Sequence, residues 1–309
     1  MERLLITLIL VCTMNNITNA QNPFYGQYHT PHGTVPFDRI ETEHYEPAIL
    51  EGIKLQNAEI EAIIQNPEKA DFSNTIEAFE ESGELLDKVV AVFGNMLSAE
   101  TNDDLQELAQ KIMPLLSEHS NNITLNEKLF ARVKEVYNQK ETLQLTQEQK
   151  QLLENAYNSF VRHGANLEGE AREEYRRLTN ELSKLTLTFS ENNLKETNAY
   201  QMLLTKKESL AGLPKIIIEA AAETAKSEEK EGWAFTLHAP SYVPFMTYSD
   251  NRDLRQKLYM AYNTKCTHDN EFNNIDIVKN IANTRMKIAQ LLGYKDYAEY
   301  TLKKRMAEN

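Results

Sequence analysis

Seven histidines, at positions 29, 32, 44, 119, 163, 238 and 268, are the side chains best suited to metal or proton chemistry. A hydrolytic zinc site on one helix needs two histidines four residues apart, so that both rings reach the ion. The motif also carries a glutamate that takes a proton from the metal-bound water. No pair here has that spacing, and no histidine is followed directly by glutamate. His29 and His32 flank Pro31 in HTPH, with no cysteine nearby. They read as solvated loop histidines, because structural zinc sites draw on clustered thiolates and imidazoles.

Other reactive residues are as sparse. Cys266 sits in the polar run Asn263–His268 at the end of a predicted helix. Lys265 beside it is a group that lowers a thiol pKa, but a structural cysteine is the preferred reading. The chain contains neither a GxSxG elbow nor a phosphate-binding GxxxxGK[ST] loop. Glu80 and Glu81 occupy exposed helix positions by pattern. Tyr242, Phe245 and Tyr248 could line a cleft, but packing beneath a strand is the favoured role. Arg252 and Arg255 could pair with a peptide carboxylate, although a structural ion pair is the commoner fate. No catalytic or metal-ligating residue is therefore assigned, and the substrate-binding residues stay unknown.

The elements that would carry such groups are organised around Gly232–Tyr262, which holds the lone tryptophan. Trp233, Phe235 and Leu237 alternate with Ala234, Thr236 and His238, the period of a half-buried strand. Pro240 and Pro244 predict a turn segment. Asp250 and Asn251 are candidate caps for a helix carrying Leu254, Leu258, Ala261 and Tyr262.

Upstream, helical periodicity predicts helices over 46–65, from Asn74 with Glu77 completing a capping box, and over about 103–118, where Pro114 is a candidate kink. Gly83 marks a kink or break in the second of these. Further helices are predicted over 127–139, from Thr146 to Gly164, and over 168 to about 195, the last with Glu173 and Arg177 as an i,i+4 pair. Residues 199–205 are a second strand candidate, followed by a helix that opens at Pro214. Whether the two strands pair parallel or antiparallel is not fixed by the sequence. Residues 270–292 read as a helix with Ile275, Val278, Ile281, Ala282, Met286, Ala289 and Leu292 inward, and 294–306 as another. The fold class is mainly α: helical hairpins and long helices with a small two- or three-strand sheet.

Five stretches carry a resemblance, in order along the chain: TIEAFEESG (75–83), AETN (99–102), YNSFVRHGA (157–165), 232–262, and LLGYKDYAEYTLKKRMA (291–307). Together they resemble the thimet-oligopeptidase family of zinc metallopeptidases, most nearly its bacterial peptidyl-dipeptidase branch. That resemblance implies the N-terminal half of a helical metallopeptidase split by a deep cleft, with zinc at the cleft floor. It implies hydrolysis of short unstructured peptides by a zinc-bound water, and release of C-terminal dipeptides in the named branch. The family's HExxH helix has no counterpart here, so no catalytic residue is carried over. Zinc is expected in the full-length family and not in this chain alone. The last helix pattern runs into the C-terminus without a stop signal, which fits a truncated frame whose partner is the missing catalytic half. The alternative is a non-catalytic helical module that binds peptides or a partner protein.

Composition sets outer bounds. A formal net charge of −13 opposes a nucleic-acid partner, because phosphates would be repelled. Residues 1–20 read as a secretory signal: Arg3, an apolar run from Leu4 to Val11, and Thr18-Asn19-Ala20 before the expected cleavage. A periplasmic or secreted location follows. Lipid anchoring at Cys12 is disfavoured because Val11 is not small. No stretch is long and apolar enough for a membrane span. With Cys12 removed, Cys266 has no disulfide partner. The expected organisation is a signal peptide (1–20), an N-terminal helical domain (21–198), and a small sheet with helices that starts the peptidase domain (199–309).

Overall fold

A computed structural model describes residues 22–307, and the expected signal segment lies outside them. The chain forms two compact units. One takes in the chain up to Ser183 together with the segment from Ile288 onward; the other is Lys184–Lys287.

The first unit is helical. Helix α1 (Thr42–Gln65) starts on a capping box in which Glu41 N–H donates to His44 Nδ1 at 2.9 Å. It packs against α2 (Glu84–Ala99) and α3 (Asp103–Thr124). α4 (Glu127–Asn138) and α5 (Gln147–Arg162) form a hairpin. Ile60, Ile63, Phe72, Ile76, Leu129, Val133, Leu153 and Phe160 fill one core. Burying such side chains is worth about 1.5–3 kcal/mol each, so this core outweighs any surface pairing.

Several expectations need correcting here. The helix predicted from Asn74 starts at Phe72, and Asp71 is its cap: Asn74 N–H donates to Asp71 Oδ1 at 2.7 Å, and Asp71 N–H returns to Asn74 Oδ1 at 3.0 Å. Phe72–Glu77 is wound as a wide π-type turn and leads into the single α-turn Ala78–Glu80. Gly83 then breaks the helix outright, with φ +86° and its N–H on Glu59 Oε2 at 2.8 Å. Only glycine enters that left-handed region without cost. Pro114 lies inside α3 without ending it.

The long helix α6 (Gly169–Ala199) links the units. Arg177 on it pairs with Glu174 and Glu181, each at 2.7 Å, and not with Glu173 as predicted. One guanidinium fork spans the i−3 and i+4 neighbours, and both pairs are exposed.

In the second unit β1 (Gln201–Leu204) leads through α7 (Lys215–Ser227) to β2 (Trp233–Thr236). The strands pair antiparallel, Gln201 opposite Thr236 and Leu204 opposite Trp233. The predicted turn at Pro240 and Pro244 is instead helix α8 (Ala239–Tyr248). Pro240 lies in the first turn, where backbone N–H groups have no intrahelical acceptor, so it costs nothing there. β2 is also more buried than its alternation suggests. Both Ala234 and Phe235 are buried, because β2 runs against α7 and α8 as well as β1.

Helix α9 (Arg252–Asn263) is capped by Asn251, which accepts from Leu254 N–H at 3.1 Å. α10 (Ile275–Leu291) begins later than predicted, because Asn273 and Asn274 are spent on the preceding loop. Its predicted inward face is also wrong in part: Ile275, Val278 and Met286 are exposed, while Thr284, Ile288 and Ala289 are buried. α11 (Tyr297–Leu302), shorter than predicted, belongs to the first unit and is capped by Asp296.

Candidate functional site

Each histidine has a structural placement. His119, on α3, is buried, and its Nε2 lies 2.7 Å from Gln56 Oε1. Burial lowers its pKa from the ordinary value. His44 completes the cap of α1. His163 ends α5 with Nδ1 2.8 Å from the Ser159 carbonyl. His238 occupies the N-cap position of α8 without a side-chain cap hydrogen bond and is exposed, as are His29 and His32. Among the described residues, no three His, Cys, Asp or Glu side chains stand close enough together to hold a metal ion. The residues present do not fit the zinc that the sequence resemblance implies.

The second unit does gather one reactive constellation that sequence reasoning missed. Glu196, near the end of α6, accepts from the Cys266 backbone N–H and, at 3.5 Å, from Asn270 Nδ2. His268 Nε2 lies 3.7 Å from the same carboxylate. A cysteine, a carboxylate and an imidazole together suggest nucleophilic chemistry. The thiol decides otherwise. Burial, reinforced by the hydrogen bond to Glu196 and its charge, pushes Cys266 up to about 11. Lys265 opposes this only weakly; its ammonium donates to Thr197 Oγ1 at 3.0 Å and sits over the Tyr262 ring. A thiol that keeps its proton at neutral pH is not an activated nucleophile. The carboxylate instead holds the loop between α9 and α10. No local pattern could have revealed it, since Glu196 and Cys266 lie 70 positions apart.

The strand–helix–helix stretch is built around Phe235 and Phe245, whose rings meet edge-on with centroids 4.6 Å apart. Met202, Leu204, Leu237 and Leu258 close the same core. Phe245 thus packs beneath the strand, the favoured role. Tyr242 stacks on Tyr262 at 4.2 Å, and Tyr248 is exposed. Arg255 donates to the Ser249 carbonyl at the end of α8, a structural role. Arg252 is exposed.

The profile of "Peptidase family M3" matches residues 245–309, from Phe245 in this core onward. Over 94% of the chain, the sequence is 35% identical to the dipeptidyl carboxypeptidase of Escherichia coli, covering 43% of that protein. It is 30% identical to oligopeptidase A of Salmonella typhimurium over 93% of the chain and 42% of the relative. A probable cytosolic oligopeptidase A of Arabidopsis thaliana is 28% identical over a similar span.

The chain belongs to peptidase family M3.

It spans less than half the length of the relatives it matches. Several of the stretches that carry the sequence resemblance form caps and packing contacts. In AETN, Asn102 caps α3 by accepting from Leu105 N–H at 2.8 Å. In TIEAFEESG, the Ser82 carbonyl accepts from Gln56 Nε2, and the Gly83 N–H donates to Glu59 Oε2. YNSFVRHGA and GYKDYAEY meet in space: Arg162 Nη2 donates to the Tyr300 carbonyl at 2.8 Å.

Proposed function

We propose that this chain acts in peptide hydrolysis as the N-terminal, non-catalytic portion of an M3 metallopeptidase, of the kind that trims short unstructured peptides. The observation that carries this reading is one alignment: 94% of the chain matches, in order, 43% of a dipeptidyl carboxypeptidase, while the sequence holds no HExxH. The zinc and the groups that activate its water would come from residues outside this sequence. This portion would hold the peptide and support the fold. Residues 1–20 would direct export to the periplasm or beyond, and a mature N-terminus at Gln21 would support that.

Two measurements on the purified full chain test the proposal. Metal analysis is expected to find no stoichiometric zinc, and a short blocked peptide is expected to survive incubation. Stoichiometric zinc together with chelator-sensitive cleavage would overturn it. The absence of HExxH favours this over an independent enzyme, because two histidines on one helix turn are what bring zinc within reach of its glutamate.

A further inference from the structure

A two-stranded sheet has two outer edges, and one of them belongs to β1. β2 has β1 on one side and runs against α7 and α8, whereas among the described residues no second strand pairs with β1. In an antiparallel pair, alternate residues turn their N–H and C=O groups toward the partner or away from it. Two separate contacts fix which residues do which. Thr236 N–H donates to Ser241 Oγ at 3.0 Å, so Thr236 and its partner Gln201 face outward. Gly232, at φ +117°, sits so close to the Leu204 carbonyl that a Cβ would come within 2.3 Å of its oxygen. That carbonyl therefore points at β2. Leu204 and Trp233 are a hydrogen-bonded pair, and Leu203, one residue before, turns its N–H and C=O to the open edge. Its side chain is 41% exposed, between buried Met202 and Leu204.

Edge strands are commonly blunted by proline, by lysine within the strand, or by a bulge. Gln201-Met202-Leu203-Leu204 has none of these. The backbone stays extended beyond it, with Lys206 at φ −102° and ψ 127°. Lys206 and Lys207 are exposed. On a chain with a net charge of −13, this pair of cations terminates an open hydrogen-bonding edge.

We propose that the outer edge of β1 is a docking strand for the C-terminal residues of an extended peptide, which adds in parallel as a third strand. Leu203 N–H donates to one peptide carbonyl, and Leu203 C=O accepts from the N–H two residues further along the peptide. At roughly 3.3 Å per residue, the peptide carboxylate then arrives near Lys206 and Lys207. Main-chain pairing of this kind supplies affinity with little side-chain preference, which suits a peptidase acting on varied short peptides. The proposal rests on the reading of this chain as the substrate-holding portion of an M3 peptidase.

Trp233, opposite Leu204 and the lone tryptophan, is a built-in reporter. The full chain is titrated with acetyl-tetra-alanine bearing a free carboxylate, and with its C-terminal amide, while Trp233 emission is followed. Saturable binding of the acid is expected, with the amide weaker by about tenfold, as for one lost charged contact. Leu203→Pro removes the outward N–H but no bond of the β1–β2 ladder, a position where edge strands accept proline. It is expected to weaken the acid by about tenfold or more, whereas Leu203→Ala keeps it within roughly threefold. Lys206→Ala with Lys207→Ala should erase the difference between acid and amide. Hydrogen exchange on the unmodified chain gives a check independent of any variant: the Leu203 amide should slow when peptide is added. No binding of the acid, equal affinity for acid and amide, unchanged exchange at Leu203, or a fully binding Leu203→Pro would overturn the docking strand. Self-association of the chain through this edge, displacing peptide, would overturn it too. None of these outcomes touches the zinc and cleavage test, so the two proposals fail separately.

Discussion

Arg162 and Tyr300 hold each other by their main chains and side chains at once. Arg162 Nη2 donates to the Tyr300 carbonyl at 2.8 Å, the Tyr300 hydroxyl donates to the Arg162 carbonyl at 3.4 Å, and the guanidinium lies 4.1 Å from the Tyr300 ring centroid. The two residues are 138 positions apart, so the pair fastens α11 onto the end of α5 and closes the first unit. Arg162→Ala is expected to cost about 2 kcal/mol, one charged hydrogen bond plus part of a cation–π contact. Arg162→Lys should recover only part of that, since an ammonium lacks the planar fork that reaches a carbonyl while stacking on a ring. Denaturant titrations of the three proteins check this, and equal midpoints would rule it out.

His119 makes stability depend on acid. Its pKa is lowered by burial, and its Nε2 is engaged by Gln56. Below the unfolded value of about 6.5 the unfolded chain takes up a proton that the folded chain resists. The contribution is thus complete above that pH and is lost as pH falls through and below it. The slope is at most about 1.4 kcal/mol per pH unit, one proton's worth. His119→Gln should flatten the stability curve between pH 7 and 5, measured by urea unfolding at each pH.

The Cys266 thiol should react slowly in the folded chain. Alkylation rates followed against pH are expected to inflect at about 11, where the thiol ionises. Glu196→Gln removes a charge that disfavours the thiolate, so the inflection should move down. It should stay above the ordinary thiol value, because burial is the larger cause. A rate already at its plateau at pH 8 in the unmodified chain would contradict this assignment.

How much of this was legible in the sequence depended on whether local rules compete. α5 was readable because Thr146 and Gln149 form a reciprocal box, with Gln149 N–H on Thr146 Oγ1 at 3.2 Å, ahead of a clean apolar stripe. The cap before Phe72 was misplaced because Asp71 and Asn74 are both good caps, and only the fold shows which one the helix uses. Helix α8 is hidden in the sequence because two prolines read as a break, whereas Pro240 falls in the first turn, where a helix accepts it. Periodicity reports the apolar stripe of α10 and not what covers it, so exposed Ile275, Val278 and Met286 carry a buried-face pattern. The Glu196–Cys266 contact had no sequence signal, and neither did the open edge at Leu203, which depends on hydrogen-bond register. The M3 likeness, by contrast, was carried by five stretches in order along the chain, from TIEAFEESG to LLGYKDYAEYTLKKRMA.

Phe245 lies at the centre of the second unit's core. It is fully buried, meets Phe235 edge-on, and is where the M3 profile match begins. Phe245→Ala removes a ring from a packed core and is expected to cost about 3–5 kcal/mol, the transfer term plus an unfilled cavity. Tyr248 lies three residues further along the same helix but is 52% exposed, and Tyr248→Ala should change stability by no more than about 0.5 kcal/mol. The contrast separates packing from surface on one helix. Because Trp233 neighbours this core, its emission reports the loss directly: Phe245→Ala should lower the midpoint of the Trp233-detected transition, and Tyr248→Ala should leave it in place. If both substitutions moved that midpoint equally, the sheet would not be resting on Phe245, and the strand–helix packing described for this unit would be wrong.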